Sequence, residues 1–198
     1  MTIFYRLDNN LYVNMTNACP CACVFCIRNT TDTVGDADSL WLEREPTVAE
    51  IKQAFDARND LNEVAEVVFC GYGEPMTRAH DVITIARYIK EKTGRKIRIN
   101  TNGLVQLLVP GFDVSQLKGA VDTVSVSLNA DTPEEYQRIV NPVFGAQSFD
   151  AVLAFVQNVK PFTNVCLTVM DDLGEARILN CEKLARMLGV PLRVRGYM

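Results

Sequence analysis

Four of the seven cysteines in this 198-residue chain fall within eight positions, Cys19-Pro20-Cys21-Ala22-Cys23-Val24-Phe25-Cys26. Cys19, Cys23 and Cys26, separated by three and then two residues, can wrap a small iron–sulfur cluster, because thiolates ligate iron and a short loop brings sulfurs together. A four-iron cube with three protein ligands keeps one iron open for an added ligand, as catalytic metal centres keep an open position. Phe25, directly before Cys26, can pack against such a cluster and limit solvent, which tunes its potential. Two other readings stay open. One is a zinc site completed by Cys70 or Cys166; the other is a closed cluster in which Cys21 is a fourth ligand, making an electron carrier. A disulfide scaffold fits poorly, since the count is odd and Cys70, Cys166 and Cys181 sit alone in apolar segments.

Further residues could meet a ligand. In the stretch 123–128, Ser125 and Ser127, followed by Asn129, alternate with Val124, Val126 and Leu128, so one face is polar where a core would be apolar. Asn129, with Asp131 and Thr132, reads equally as a helix cap. Gly71-Tyr72-Gly73-Glu74-Pro75 and Thr101-Asn102-Gly103 read by themselves as turns. Thr168 and Met170 end an apolar run and fit either a ligand or the core. Arg195, on a strand face with Arg193, would suit a carboxylate or phosphate if buried. His80, the single histidine, has no catalytic context and is expected at the surface. The basic run Arg87, Lys90, Lys92, Arg95, Lys96 and Arg98 reads as a solvated helix end and strand start, opposite the chemistry.

These groups need elements to hold them. Six candidate strands, 11–16, 66–70, 96–100, 123–128, 164–170 and 192–195, alternate with amphipathic helical stretches, the rhythm of repeated βα units. Thr47 with Glu50 makes a capping box, Thr132-Pro133-Glu134-Glu135 a second helix start, and Gly94, Gly119 and Gly189 suit helix ends. Six units are too few for the closed eight-unit barrel. The expected fold is therefore α/β, an open partial (βα)6 barrel with a parallel sheet, in one domain over residues 1–198. Chemistry belongs at the C-terminal rim of its strands, where the segments 17–29, 71–75, 101–103, 129–132, 170–174 and 195–198 gather. With 20 basic against 24 acidic residues, a net charge of −4, bulk nucleic-acid binding is not expected. No leader or membrane span is read, so the expected location is the cytoplasm.

The pattern Cys19-x3-Cys23-x2-Cys26, with an aromatic before the last cysteine, resembles the signature of the radical S-adenosylmethionine (SAM) superfamily, and the resemblance spans nearly the whole chain. The runs at 11–17, 69–75, 127–130 and 193–197 look like the TatD-associated radical SAM proteins. The resemblance implies a 4Fe-4S cluster on Cys19, Cys23 and Cys26, with SAM chelating the open iron. Gly71, Tyr72, Gly73 and Glu74 stand where the superfamily has a Gly-Gly-Glu stretch holding the amino group of SAM's methionine, with Tyr72 replacing one glycine. Ser127 and Asn129 would contact the ribose or methionine carboxylate, Met170 the adenine, and Phe25, Thr101, Asn102 and Arg195 would complete the cofactor seat. The implied activity is reductive SAM cleavage to a 5'-deoxyadenosyl radical that abstracts hydrogen from an unidentified substrate, small or nucleotide-related. The alternative within the same chemistry is a glycyl-radical enzyme activase. The implied partners are the substrate, an electron donor such as a flavodoxin or ferredoxin, and a TatD-family protein.

Overall fold

The computed structural model describes residues 1–31 and 33–196. Tyr197 and Met198, the end of the last expected rim segment, lie outside the described residues.

Seven strands form one sheet in sequence order. The chain opens with an antiparallel hairpin of β1 (Phe4–Leu7) and β2 (Asn10–Val13), turning at Asp8 with φ 53°. From β2 onward the pairing is parallel, through β3 (Glu66–Phe69), β4 (Lys96–Thr101), β5 (Thr123–Ser127), β6 (Asn164–Met170) and β7 (Leu192–Arg195). β1 is an addition to the expected set, and the first expected strand ends at Val13 rather than Thr16. Among the described residues β1 and β7 are the edges of an unclosed sheet.

The crossovers carry α1 (Val48–Asp56), α2 (Ala79–Thr93), α3 (Val105–Leu108), α4 (Pro133–Val140), α5 (Gln147–Val159) and α6 (Glu175–Leu188). Parallel crossovers are right-handed, so a sheet wound in one direction gathers its helices on one face. Residues 11, 13, 67, 69, 97, 99, 124, 126, 165, 167 and 169 supply that face and are all buried apolar side chains, each contributing about 1.5–3 kcal/mol of transfer free energy. The helix starts follow the sequence. Thr47 and Glu50 exchange both capping-box bonds, and Thr132 accepts from the Glu135 amide, with Pro133 in the first turn. Gly94 and Gly189 end α2 and α6, while Gly119 follows a short 3-10 turn.

The opposite, inner face carries Tyr12, Glu66, Arg98, Asn100, Ser125, Ser127 and Thr168, as the ladder register requires. Its β1–β2 side is covered by Ile27, Val34, Ala37 and Leu40, which join Tyr5 and Tyr72 in a second apolar cluster. The β4–β7 side remains polar. Burial raises the pKa of the Cys70 thiol just past β3, and Asn100 and the positive charge of Arg195 on β7 pull it partly back.

The basic run only partly meets its expected role. Lys90 pairs with Asp122 and Lys92 with Asp56 at the surface, but Arg98 points inward and binds Glu66, because its register partner Thr123 lies on the inner face. His80 is exposed, with its ring edge-on to Phe112.

Candidate active site

The cysteine loop leaves β2 at the rim and is fastened from two sides. Near its start, Asn17 exchanges side-chain hydrogen bonds with the backbone of Leu42, and the Thr16 hydroxyl accepts from the Ala18 amide at 2.9 Å. Further on, the amides of Ala22 and Val24 donate to the carbonyls of Val140 and Ile139 at 3.1 and 2.9 Å, and the Val143 amide donates to Pro20. The loop thus runs antiparallel against the end of α4, bridged at Cys21 and Pro142. The Cys26 amide turns back to the Cys23 carbonyl at 3.2 Å.

This fastening leaves Cys19, Cys23 and Cys26 half-buried and Cys21 buried, at 5 % exposure. Cys21 packs into the main core, with the Asn102 amide nitrogen 3.6 Å from its sulfur. Hydrogen bonding with the Cys21 thiol draws the pKa values of Cys19 and Cys23 down and pushes that of Cys21 up; the nearby Arg28 charge also favours the two thiolates. Burial raises Cys26. All seven cysteines are free. Among the described residues, no three His, Cys, Asp or Glu side chains form a group that could hold a single metal ion. A cube, whose thiolates bind different irons, needs them spread around it.

Next to this loop lies the turn after β3. The Gly73 amide donates to the Thr16 carbonyl at 3.1 Å and the Glu74 amide to the Ala18 carbonyl at 2.8 Å. A Cβ at Gly73 would stand 2.3 Å from the Thr16 oxygen, and one at Gly71 2.1 Å from Asn14 Oδ1. Both glycines therefore allow one rim loop to press on another. Tyr72 turns its ring into the second cluster, edge-on to Trp41 at 5.1 Å, and its hydroxyl donates to the Thr31 carbonyl. What Tyr72 can offer a ligand is its backbone.

Glu74 is buried, and burial pushes its pKa up to about 7. Its Oε1 accepts from the Met76 amide at 2.9 Å and the Thr101 hydroxyl at 2.8 Å, and its Oε2 from the Asn102 amide at 2.7 Å. Thr101 and Asn102, read from sequence as ligand contacts, are thus the residues that hold Glu74 in place. A carboxylate has about four acceptor positions, so Oε2 retains one for a further donor.

Beyond the cysteine loop a cleft of about 220 Å³ opens between the ends of β5 and β6, α4 and the start of α6. Val24 and Phe25 form one wall, Asn129 and Met170 the floor, and Glu135, Arg138, Ile139, Asp172, Leu173 and Arg177 the rest. Asn129 is buried at φ 56°, and its Oδ1 has no hydrogen-bond partner among the described residues. Glu135 is bound through both oxygens by Arg138, at 2.6 and 2.8 Å, and also pairs with Arg177; the Arg138 hydrogen bonds depress its pKa.

The structure therefore gathers Phe25, Asn129 and Met170 in one cleft beside the cysteines, and Gly71, Gly73, Thr101 and Asn102 around Glu74. Ser127 and Arg195 lie half-buried on the inner face, outside the cleft lining. The sequence reading takes Glu135 only as an acid of a helix start and does not single out Arg138 or Arg177. The i, i+3 spacing of Glu135 and Arg138 was visible, but it also describes an ordinary helix surface.

The sequence profile of the Radical SAM superfamily matches residues 13–184. The chain belongs to that superfamily. Members of this superfamily use a 4Fe-4S cluster and SAM. The chain is similar to a "Probable GTP 3',8-cyclase" of Thermococcus kodakarensis, 28% identical over 196 residues, which are 96% of this chain and 57% of that protein. It is also similar to a "Dual-specificity RNA methyltransferase RlmN" of Geotalea uraniireducens, 29% identical over 136 residues, 66% of this chain and 35% of that protein. A solved structure of TYW1 with a lysine-pyruvate adduct bound shares the fold, with TM-score 0.62 and 17% identity over 96% of this chain and 65% of that one. The chain spans about half the length of the curated cyclase relatives. Among the described residues, no helix is long and apolar enough to cross a membrane.

The three half-buried thiols of Cys19, Cys23 and Cys26 would suit a 4Fe-4S cluster, and the buried Asn129 Oδ1, with no partner among the described residues, would suit a donor group of SAM.

Proposed function

We propose that this enzyme cleaves SAM reductively and uses the resulting radical to take a hydrogen atom from a small or nucleotide-related substrate over the inner face of the sheet. The observation that carries the reading is the cleft beside the cysteine loop, which shares Phe25 with that loop and has the unpartnered Asn129 Oδ1 in its floor. When held by Cys19, Cys23 and Cys26, a cluster would supply the electron for reductive cleavage of SAM's carbon–sulfur bond, the chemistry that yields methionine and a 5'-deoxyadenosyl radical.

The chain's own residues supply ligation, orientation and dryness. Cys19, Cys23 and Cys26 would hold the cluster, with thiolates favoured at Cys19 and Cys23. The spare acceptor position of Glu74 Oε2 suits the methionine ammonium, and Asn129 Oδ1 suits a ribose hydroxyl. Phe25, Ile139, Met170 and Leu173 give the cleft apolar walls, suited to an adenine ring. A GTP cyclase and an RNA methyltransferase among the relatives support a nucleotide-related substrate. A flavodoxin or ferredoxin would supply the electron, a TatD-family protein is a candidate partner, and the cytoplasm suits an enzyme of seven free cysteines.

The test is anaerobic reconstitution with iron and sulfide, reduction, and chromatography for 5'-deoxyadenosine. SAM-dependent product, lost in Cys23→Ala, is expected. A fully loaded protein that forms none rules the reading out.

A further inference from the structure

The inner face holds a group of cations that the cofactor cleft does not use. Residues in register on parallel strands point to the same side of the sheet. Arg98 is in register with Thr123, Arg193 with Thr168 and Arg195 with Met170, which places all three arginines on the inner face. Among the described strand residues of β2–β7, the carboxylate on that face is Glu66, and Arg98 takes it at 2.8 Å while also donating to Asn100 at 3.0 Å. Arg193 and Arg195 have no ion pair among the described residues. The Nε of Arg195 is buried without a hydrogen-bond partner. A charged donor left dry is unfavourable unless an acceptor meets it, and a guanidinium fork matches the paired oxygens of a phosphate or carboxylate.

We infer that Arg195, assisted by Arg193 and Arg98, is a substrate-binding site for an oxyanion, a phosphate or carboxylate carried by the molecule on which the enzyme acts. The inference rests on the proposed function, in which substrate lies over the inner face, and adds the chemical class of the group recognised. Burial lowers the pKa of Arg195, and the like charges of Arg193 and Arg98 act in the same direction. The site is separate from the cleft, whose cations are Arg138 and Arg177. Met170 lines the cleft and is the register partner of Arg195 on the adjacent strand. An anion held by Arg195 would therefore fix a substrate next to the cleft without entering it.

The experiment is calorimetric titration of the anaerobically reconstituted protein with inorganic pyrophosphate and with malonate, with and without saturating SAM. At least one probe should bind saturably in the presence of SAM; tighter pyrophosphate assigns a phosphate, tighter malonate a carboxylate. Arg195→Gln should weaken that binding by at least about tenfold, as loss of a charged bidentate pair implies, and Arg193→Gln by a smaller factor. Lys118→Gln, which makes the same charge change at an exposed site, should leave it unaltered. If Arg195→Gln misfolds on thermal unfolding, the exposed Arg193 variant carries the test. The inference is overturned if neither probe binds, if SAM displaces the anion, which would assign the arginines to the cofactor, or if the folded variants bind like the wild type. SAM cleavage is read on the same wild-type samples. Cleavage without anion binding sinks this site alone, whereas anion binding without cleavage sinks the proposed activity.

Discussion

Consider Gly73→Ala. The new Cβ would stand 2.3 Å from the Thr16 carbonyl oxygen and 2.7 Å from that of Ala18, where carbon–oxygen contacts settle near ~3.3 Å. Both obstacles are backbone atoms, so neither can swing aside as a side chain would. The turn after β3 must retreat by about 1 Å, which stretches the bonds from the Gly73 and Glu74 amides, now 3.1 and 2.8 Å, past useful length. Two lost bonds at ~1 kcal/mol each, with overpacking strain of ~1–3 kcal/mol, total roughly 3–5 kcal/mol. Anaerobic urea unfolding should show that loss, and iron per chain after reconstitution should fall, because Ala18 directly precedes Cys19. Gly94→Ala is the comparison: no atom lies within 4 Å of its added Cβ, but φ is +64°, so only the left-handed penalty of about 1–2 kcal/mol applies. If Gly73→Ala unfolds within ~0.5 kcal/mol of wild type and loads iron equally well, the contact between these loops is not what requires the glycine.

Cys21→Ala should keep most of the iron and visible absorbance after reconstitution, whereas Cys19→Ala loses both; the reverse pattern would make Cys21 a ligand. Glu74 has a folded pKa of about 7 against an ordinary 4.5, so the native state binds the extra proton between those values. Its favourable contribution is full below pH ~4.5 and is lost as pH rises through ~7, by roughly 3 kcal/mol. Urea midpoints across pH 5 to 8 should fall accordingly, and Glu74→Gln should flatten that dependence. Glu135→Gln removes the carboxylate that aligns Arg138 and Arg177 at the cleft; equilibrium dialysis should show SAM binding about tenfold weaker, with stability changed by no more than ~1 kcal/mol.

The parallel part of the fold was legible because buried strands such as Val67-Val68-Phe69 and Val165 to Met170 are nearly continuous apolar runs, set between helices with explicit start residues. β1 was not recognised. Phe4-Tyr5-Arg6-Leu7 is short, and its half-buried pattern comes from the two coverings it receives, Phe55 of α1 on one side and Val34, Ala37 and Leu40 on the other. The Asp8-Asn9 pair before Asn10 was the available hairpin signal. At the site, the cysteine spacing was readable because the three candidate ligands lie on one loop. Glu135 and Arg177 come from different helices, and only the folded chain brings them together. The glycines at 71 and 73 were located by sequence, but their neighbours Asn14, Thr16 and Ala18 lie more than fifty residues away in the chain, and local pattern reading cannot reach them.

α4 has two attachments. Its last turn clamps the cysteine loop through Val140 and Ile139, while its Glu135, Arg138 and Ile139 line the cleft. Any tightening of this helix around a nucleoside would be felt by the sulfurs, and loss of metal would loosen the nucleoside's berth in return, since such linkage is reciprocal. SAM should accordingly raise the equilibrium affinity for iron, read by competition with a chelator, and the metal-free chain should hold SAM more weakly by that same factor.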